Sequence, residues 1–325
     1  MADGKKYVYG PVPSRRLGRS YGIDIVPFKV CTLDCVYCQL GRTSEKTIER
    51  RDFGPVEPVL AELRNTLAEG LEADFITIAG SGEPTLNSRL GELVDGIKRI
   101  TNVAIAVLTN GTLLYREDVR ADCARADLVM PSLDAGDEQT FRQINRPHDN
   151  ISIENLISGM CAFRDEFVGQ IWLEVFFVEG INTDPEQIAK IKDAIQRIRP
   201  DKIQLNTAVR PTADPNIRRL DPQKLRAIAA RLGPTCEVVA DSSPAHGGRL
   251  VQGKAEDSLI PHLAVSRKTE ALFSMLKRRP CSLKDICAGL DITPNEALKY
   301  ISDLQHRRLI HSEQKDGSVF FKTSS

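Results

Sequence analysis

The sequence predicts an α/β protein, a partial (βα)6 barrel followed by a small C-terminal domain of winged-helix type. Three observations carry this. From about residue 21 onward, short β-branched runs alternate with amphipathic stretches of helical period, the pattern of βα units around a parallel sheet. Each predicted strand stops at a polar or glycine-rich turn. Near residue 264 the pattern changes to closely spaced helices and one hairpin.

Strands are read at YGIDIVPF (21–28), FITIAGS (75–81), VAIAVLTN (103–110), LVMPSLD (128–134), IWLEVFFV (171–178) and KIQLNT (202–207). Helical stretches lie at 55–70, 87–100, 117–125, 151–166, 184–197 and 221–232. Six repeats are fewer than the eight that close a barrel, so an open construction with right-handed crossovers is expected. Residues 1–20 are read as an N-terminal extension, 21–235 as the barrel, 236–263 as a linker region and 264–325 as the winged-helix-like domain. In that last part ITPNEALKYISDLQHRRL is the expected recognition helix, with Thr293 as N-cap, Pro294 at the first helical position and Glu296 completing a capping box. LIHSE and SVFFKT flank QKDG, where Asp316-Gly317 signals a tight hairpin. The domain carries 11 Lys+Arg against 7 Asp+Glu, yet Lys299, Arg307 and Arg308 share the helix with Glu296 and Asp303. Nucleic-acid contact and protein–protein contact therefore both stay open.

Composition excludes several classes. The 325 residues are 41% hydrophobic and 27% charged, with 44 basic and 44 acidic side chains, which argues against disorder and against a chain that binds nucleic acid as a whole. No apolar leader follows MADGKKYVYGPVP and no run of about 18 apolar residues occurs, so a cytoplasmic protein without membrane contact is expected. Eight cysteines are too few and too scattered for a disulfide scaffold. Cys123 and Cys161 fall in helical patterns and read as inert thiols.

Chemistry concentrates at the strand ends, where function gathers in such folds. Three of the eight cysteines, Cys31, Cys35 and Cys38, follow the first strand in CTLDCVYC. A closed zinc site wants a fourth ligand, and the first histidine comes only at 148, so the spacing suits a centre with one coordination position left open. The second strand runs into GSGEPTL (80–86), the third into TNGT (109–112), the fourth into SLDAGD (132–137), the fifth into EGIN (179–182) and the sixth into NTAVRP (206–211).

CTLDCVYC resembles the cluster motif of the radical S-adenosylmethionine (SAM) enzymes, and the likeness runs from about residue 8 to about residue 210, including that family's partial barrel. The resemblance implies that Cys31, Cys35 and Cys38 bind three irons of a [4Fe-4S] cluster whose fourth iron is chelated by SAM. It implies reductive cleavage of SAM to methionine and a 5′-deoxyadenosyl radical that abstracts hydrogen from a substrate. SGEP resembles the family's GGEP motif, so Gly80, Ser81, Gly82, Glu83 and Pro84 are expected near the SAM ammonium, with Ser81 replacing the first glycine. Thr109 with Asn110, and Ser132 with Asp134, occupy strand ends where related enzymes place hydroxyls near the SAM carboxylate. Tyr37 is similar to the aromatic position beside the adenine, and Asn182, Gln204 and Asn206 are expected toward the ribose and adenine. SLDAGDEQTFRQINRPH is similar to the tRNA wyosine-synthesising enzymes and the Fe-S oxidoreductases grouped with them, although no cysteine precedes Cys31 to hold a second cluster.

Substrate contacts are expected from residues that a generic SAM site does not need: Arg15, Arg16 and Arg19 before the first strand ends, Arg146 and His148 after the fourth, and Arg210 after the sixth. Their guanidinium forks suit phosphate or carboxylate, so an anionic or RNA-linked substrate is expected. A reducing electron donor of flavodoxin or ferredoxin type is the expected partner. Two other classes are weighed: an iron-sulfur redox-sensing regulator that binds DNA through the winged helix, and a zinc-stabilised scaffold.

Overall fold

In the computed structural model, the described residues are 6–54, 56–70, 72–239, 261–290 and 292–324. Most of the expected linker, 236–263, lies outside them. The chain begins with β1 (Val8–Ser14), β2 (Gly18–Ile23) and a miniature pair, β3 (Val30–Cys31) and β4 (Glu45–Lys46), then α1 (Val56–Ala68). Next come β5 (Phe75–Ile78), α2 (Leu90–Lys98), β6 (Ala104–Leu108), α3 (Glu117–Cys123) and β7 (Leu128–Met130). Two helices, α4 (Glu138–Asn145) and α5 (Ile153–Glu166), lead to β8 (Gln170–Phe177), α6 (Pro185–Ile198), β9 (Lys202–Thr207), α7 (Pro222–Leu232) and β10 (Cys236–Val238).

These strands form one eight-stranded sheet in the order β1-β2-β5-β6-β7-β8-β9-β10, parallel throughout except for the antiparallel edge β1. The six predicted strands are its centre. Two corrections concern its margins. The N-terminal stretch, read as an extension, supplies β1 and the start of β2. Its prolines hide it as a strand, and an edge position tolerates them because one side needs no ladder hydrogen bonds. The second correction is β10, a short seventh parallel strand.

Helix boundaries follow local chemistry. Asp137, Ser152, Asp184 and Asp221 cap α4 to α7 through their side chains, and Pro185 and Pro222 open α6 and α7. Alternation along the strands then sorts the two faces of the sheet. Ile76, Ile78, Ile105, Val107, Val129, Leu173, Val175, Ile203 and Leu205 are buried in the main core together with side chains of the helices. Their neighbours in sequence, Thr77, Leu108, Met130, Glu174 and Asn206, line a cavity on the concave side. Below it, Leu17, Ala106, Leu128 and Met130 form a small apolar floor.

The C-terminal unit contains α8 (Pro261–Arg278), β11 (Cys281–Ser282), α9 (Leu283–Leu290), α10 (Pro294–His306), β12 (Ile310–Lys315) and β13 (Ser318–Thr323). Its sheet has the order β11-β13-β12, and it has its own core around Leu272, Ile286, Tyr300, Ile301 and Phe321. Lys315 pairs with Ser318 across a two-residue turn in which Asp316 (φ 49°) and Gly317 (φ 75°) are both left-handed, as a type I′ hairpin requires. Thr293 caps α10, but the expected capping box is half made: the Glu296 carboxylate takes hydrogen bonds from Lys268 and Tyr300 instead.

The unit sits over the mouth of the barrel. Arg210 Nη2 donates to Asp285 Oδ1 at 3.0 Å, Lys315 Nζ donates to the Ile217 carbonyl at 3.3 Å, and the Arg278 guanidinium lies 3.8 Å over the Tyr9 ring.

Candidate active site

The cavity on the concave face measures about 440 Å³, and Cys31, Cys35 and Cys38 all line it. Cys31 ends β3, and the other two follow in the loop that β4 closes. Each sulfur faces an N–H donor: Asn110 Nδ2 stands 3.6 Å from Cys31 Sγ, Asn145 Nδ2 3.4 Å from Cys35 Sγ, and Lys29 Nζ 3.1 Å from Cys38 Sγ. Lys29 is almost fully buried and adopts a left-handed φ of 61°, which the hydrogen bond from its N–H to the Ser81 carbonyl, at 2.7 Å, helps to hold. Burial pushes the Cys31 thiol up to about 12, with Glu83 adding to the rise, and drives Cys35 upward with help from Asp134. Such thiols stay protonated until a metal takes the place of the proton. Among the described residues no three His, Cys, Asp or Glu gather as ligands of one metal ion. An iron-sulfur cluster asks instead for one thiolate per iron, and three separate thiols on one cavity wall, each with a donor at its sulfur, fit that need.

Gly80, Gly82, Glu83, Pro84, Thr109, Asn110, Ser132, Tyr37, Arg15, Arg16 and Arg210 also line this cavity, as the sequence predicts for one rim. Gly82 must be glycine, because a Cβ there would lie 2.2 Å from the Val30 carbonyl oxygen of the cysteine loop. Glu83 is 2% exposed and accepts four hydrogen bonds, from Thr85 N (3.1 Å), Thr85 Oγ1 (2.7 Å), Thr109 Oγ1 (2.5 Å) and Asn110 N (2.8 Å). Burial raises its proton affinity, while these donors oppose the rise. Its carboxylate is thus the brace that ties the β5 loop to the β6 loop. The Thr109 hydroxyl is spent on that brace rather than free for a ligand.

Other predicted residues lie behind the wall. Ser81 gives its hydroxyl to Asp24 Oδ2 at 2.6 Å. Asp134 accepts from Tyr37 OH at 2.5 Å, Asn145 Nδ2 at 2.6 Å and Phe176 N at 2.8 Å, and burial lifts it to about 6. It fixes Tyr37, whose ring stacks on Phe176 with centroids 3.9 Å apart. Asn182 is wholly buried and bonds the Asp134 carbonyl, the Phe176 carbonyl and the Val178 N–H, which makes it a bracket for the loop after β8. Gln204 lies deeper on β9 and pairs with Glu237, whereas Asn206 reaches the cavity and donates to Glu174 at 2.9 Å.

Arg146 is the left-handed C-cap of α4 (φ 45°) and points to Asp34 and Asp214, while His148 Nδ1 accepts from the Asn150 N–H; neither lines the cavity. Arg19 also stays outside it. Lys29, Tyr9 and Glu174, and Met275, Arg278 and Arg279 from the C-terminal unit, are wall or cysteine-loop residues that sequence reading missed. Only the basic run KRRP at 277–280 left a trace in the sequence, and it reads there as the ordinary charged end of a helix.

A model of the radical SAM superfamily matches residues 25–191, more than half of the chain. The chain belongs to the radical SAM superfamily, whose members are enzymes working with S-adenosylmethionine and a [4Fe-4S] cluster. More particularly, it is 38% identical over 233 residues to the UPF0026 protein of Methanocaldococcus jannaschii, covering 71% of each chain. It is 39% identical over 236 residues to a Brachyspira hyodysenteriae protein named GTPase Obg; the match takes in 73% of this chain but 35% of that longer protein. The crystal structure of Streptococcus suis SuiB bound to S-adenosylmethionine superposes with a TM-score of 0.50 at 18% identity, over 65% of this chain and 46% of that one, a likeness of fold. No helix among the described residues is long and apolar enough to cross a membrane.

Proposed function

We propose that this chain is a radical SAM enzyme whose Cys31, Cys35 and Cys38 hold a [4Fe-4S] cluster, and that it removes a hydrogen atom from an anionic substrate. When bound, cluster and SAM supply one chemistry: an electron from an external reductant breaks the 5′ carbon–sulfur bond, leaving methionine and a 5′-deoxyadenosyl radical. The observation that carries this reading is that the three cysteines, Gly80, Gly82, Glu83, Pro84, Thr109, Asn110 and Ser132 share one cavity at the strand ends.

Each neighbouring residue then has a task. Lys29, Asn110 and Asn145 place positive charge or N–H dipoles on the three sulfurs, which makes an added electron easier to accept. The loop at Gly80 to Gly82 offers carbonyls for an ammonium, and Glu83 holds it in register while adding a nearby negative charge. Ser132 presents a hydroxyl suited to a carboxylate. Tyr37, fixed by Asp134 and Phe176, gives a flat apolar wall for a base. The reductant is a small electron carrier of flavodoxin or ferredoxin type. A redox-sensing regulator would have no use for Gly80, Thr109 and Asn110 on the wall that carries the cysteines.

Anaerobic reconstitution with iron and sulfide tests the proposal. The wild-type chain is expected to show the cluster's visible absorbance and to release 5′-deoxyadenosine from SAM with dithionite. Cys31, Cys35 and Cys38 changed together to Ala should do neither; a cluster and SAM cleavage surviving in that variant would sink the assignment.

A further inference from the structure

The cationic side of the same cavity is built from three distant parts of the chain. Arg15 and Arg16 come from the turn before β2, Arg210 from the end of β9, and Arg278 and Arg279 from the end of α8 in the C-terminal unit. Against these five guanidinium groups the lining holds two carboxylates, Glu83 and Glu174. Glu83 is engaged with its four donors, and Glu174 with Arg16 (2.5 Å) and Asn206.

Arg210 is 7% exposed; one Nη donates to Asp285, while its Nε has no acceptor. Arg278 uses one Nη on Ser274 and lies on the Tyr9 ring, and its Nε is likewise buried without an acceptor. Among the described residues Arg279 makes no direct ion pair, although its charge is felt at Asp285 and Arg210. Buried N–H donors of charged groups are seldom left unmatched, because each costs on the order of 1–3 kcal/mol. Burial, followed by Arg210, Arg16 and Arg279, draws the Arg15 guanidinium down to about 10, the mark of like charges crowded into one poorly solvated space. A site of this kind is stable when an anion with several acceptor oxygens completes it.

We infer that the C-terminal unit is part of the substrate site, and that Arg210, Arg278 and Arg279, with Arg15 beside them, clamp the phosphate groups of a small phosphorylated substrate. This deepens the reading above and rests on it for the identity of the chemistry, though not for the binding itself. Phosphate is favoured over a single carboxylate because forks from three directions need more acceptor oxygens than one carboxylate carries. A small molecule is favoured over a polymer because Met275, Arg278 and Arg279, at the end of α8 and just past it, roof the cavity. The ion pair between Arg210 and Asp285 ties the roof to the barrel, so the same arginine serves both closure and binding.

The test uses the full chain, anaerobically reconstituted, titrated calorimetrically with inorganic pyrophosphate as probe. Saturable binding is expected, with Arg279→Ala weakening it roughly tenfold or more, the loss of about one charge-assisted pair. Arg279→Lys should fall between, since it keeps the charge and loses the fork. Arg307→Ala, at the exposed C-cap of α10, should bind like wild type. Cluster absorbance in every sample reports whether the cysteine assignment holds, so its failure is read separately from failure of the clamp. Equal pyrophosphate affinity in wild type and Arg279→Ala at equal cluster loading would overturn the inference. So would tight binding of a single-stranded RNA that Arg307→Ala abolishes and Arg279→Ala leaves intact, which would assign the unit to nucleic-acid contact.

Discussion

The two walls of the cavity are built on opposite plans. On one side the cysteine loop, the Gly80–Glu83 turn and the Thr109–Asn110 turn come from neighbouring strand ends, and their charged carboxylate, Glu83, is fully matched, although Asp24 Oδ1, Thr77 Oγ1 and Asn145 Oδ1 beside them stay without a partner. Glu83 alone takes four donors. On the other side arginines from residues 15 to 279 meet over long sequence distances, and buried Nε groups stay unmatched. On the proposed reading, the first wall holds the same cofactor chemistry in every turnover and can be largely satisfied in advance, while the second grips an incoming anion and keeps donors in reserve.

The largest effect that would sharpen this contrast is expected from Glu83→Ala. It leaves four donors facing a void, so unfolding in urea should show a loss of about 4 kcal/mol or more, with SAM cleavage falling alongside. A loss below about 1 kcal/mol would break the claim that this wall is pre-satisfied. Asp285→Ala comes next. It strands the buried Arg210 charge and should cost about 3 kcal/mol. Because it also unties the roof, hydrogen exchange in α9 should rise while the barrel strands stay protected. Unchanged exchange in α9 would mean that the ion pair does not hold the unit down.

The smallest effect is a pH dependence from Asp134. Burial raises this carboxyl to about 6, above its unfolded value, although Tyr37, Asn145 and Phe176 all donate to it. A carboxyl raised on folding binds its proton more tightly in the folded state. Its contribution to stability is therefore present at low pH and is lost as pH rises through about 6. The apoprotein should lose stability between about pH 4 and about pH 6, other groups held equal, and Asp134→Asn should flatten that slope in thermal melts.

Much of the cysteine-bearing wall was legible in the sequence because its motifs are local. CTLDCVYC, GSGEP and TNG each lie within a few residues, and the strand period fixes which ends they decorate. The predicted residues that do not line the cavity share a different cause. Asp134, Asn182, Arg146 and His148 sit at strand ends or beside them, yet lie behind the wall, because side-chain direction within a turn depends on partners elsewhere: Tyr37 for Asp134, Phe176 and Val178 for Asn182, Asp34 and Asp214 for Arg146. The edge strand β1 was hidden by prolines that only an edge tolerates.

By itself, then, the sequence determined the alternating βα order, the place of the three thiols and the superfamily to which the chain belongs. All of these follow from short-range period and spacing. Tertiary structure alone decided that a unit starting some 230 residues after the cysteines closes their cavity, and that Arg278 and Arg279 join Arg15 and Arg210 there. Such convergence leaves no pattern in the chain, because loop closure costs little more for a long connection than for a short one and so does not restrict which distant residues meet.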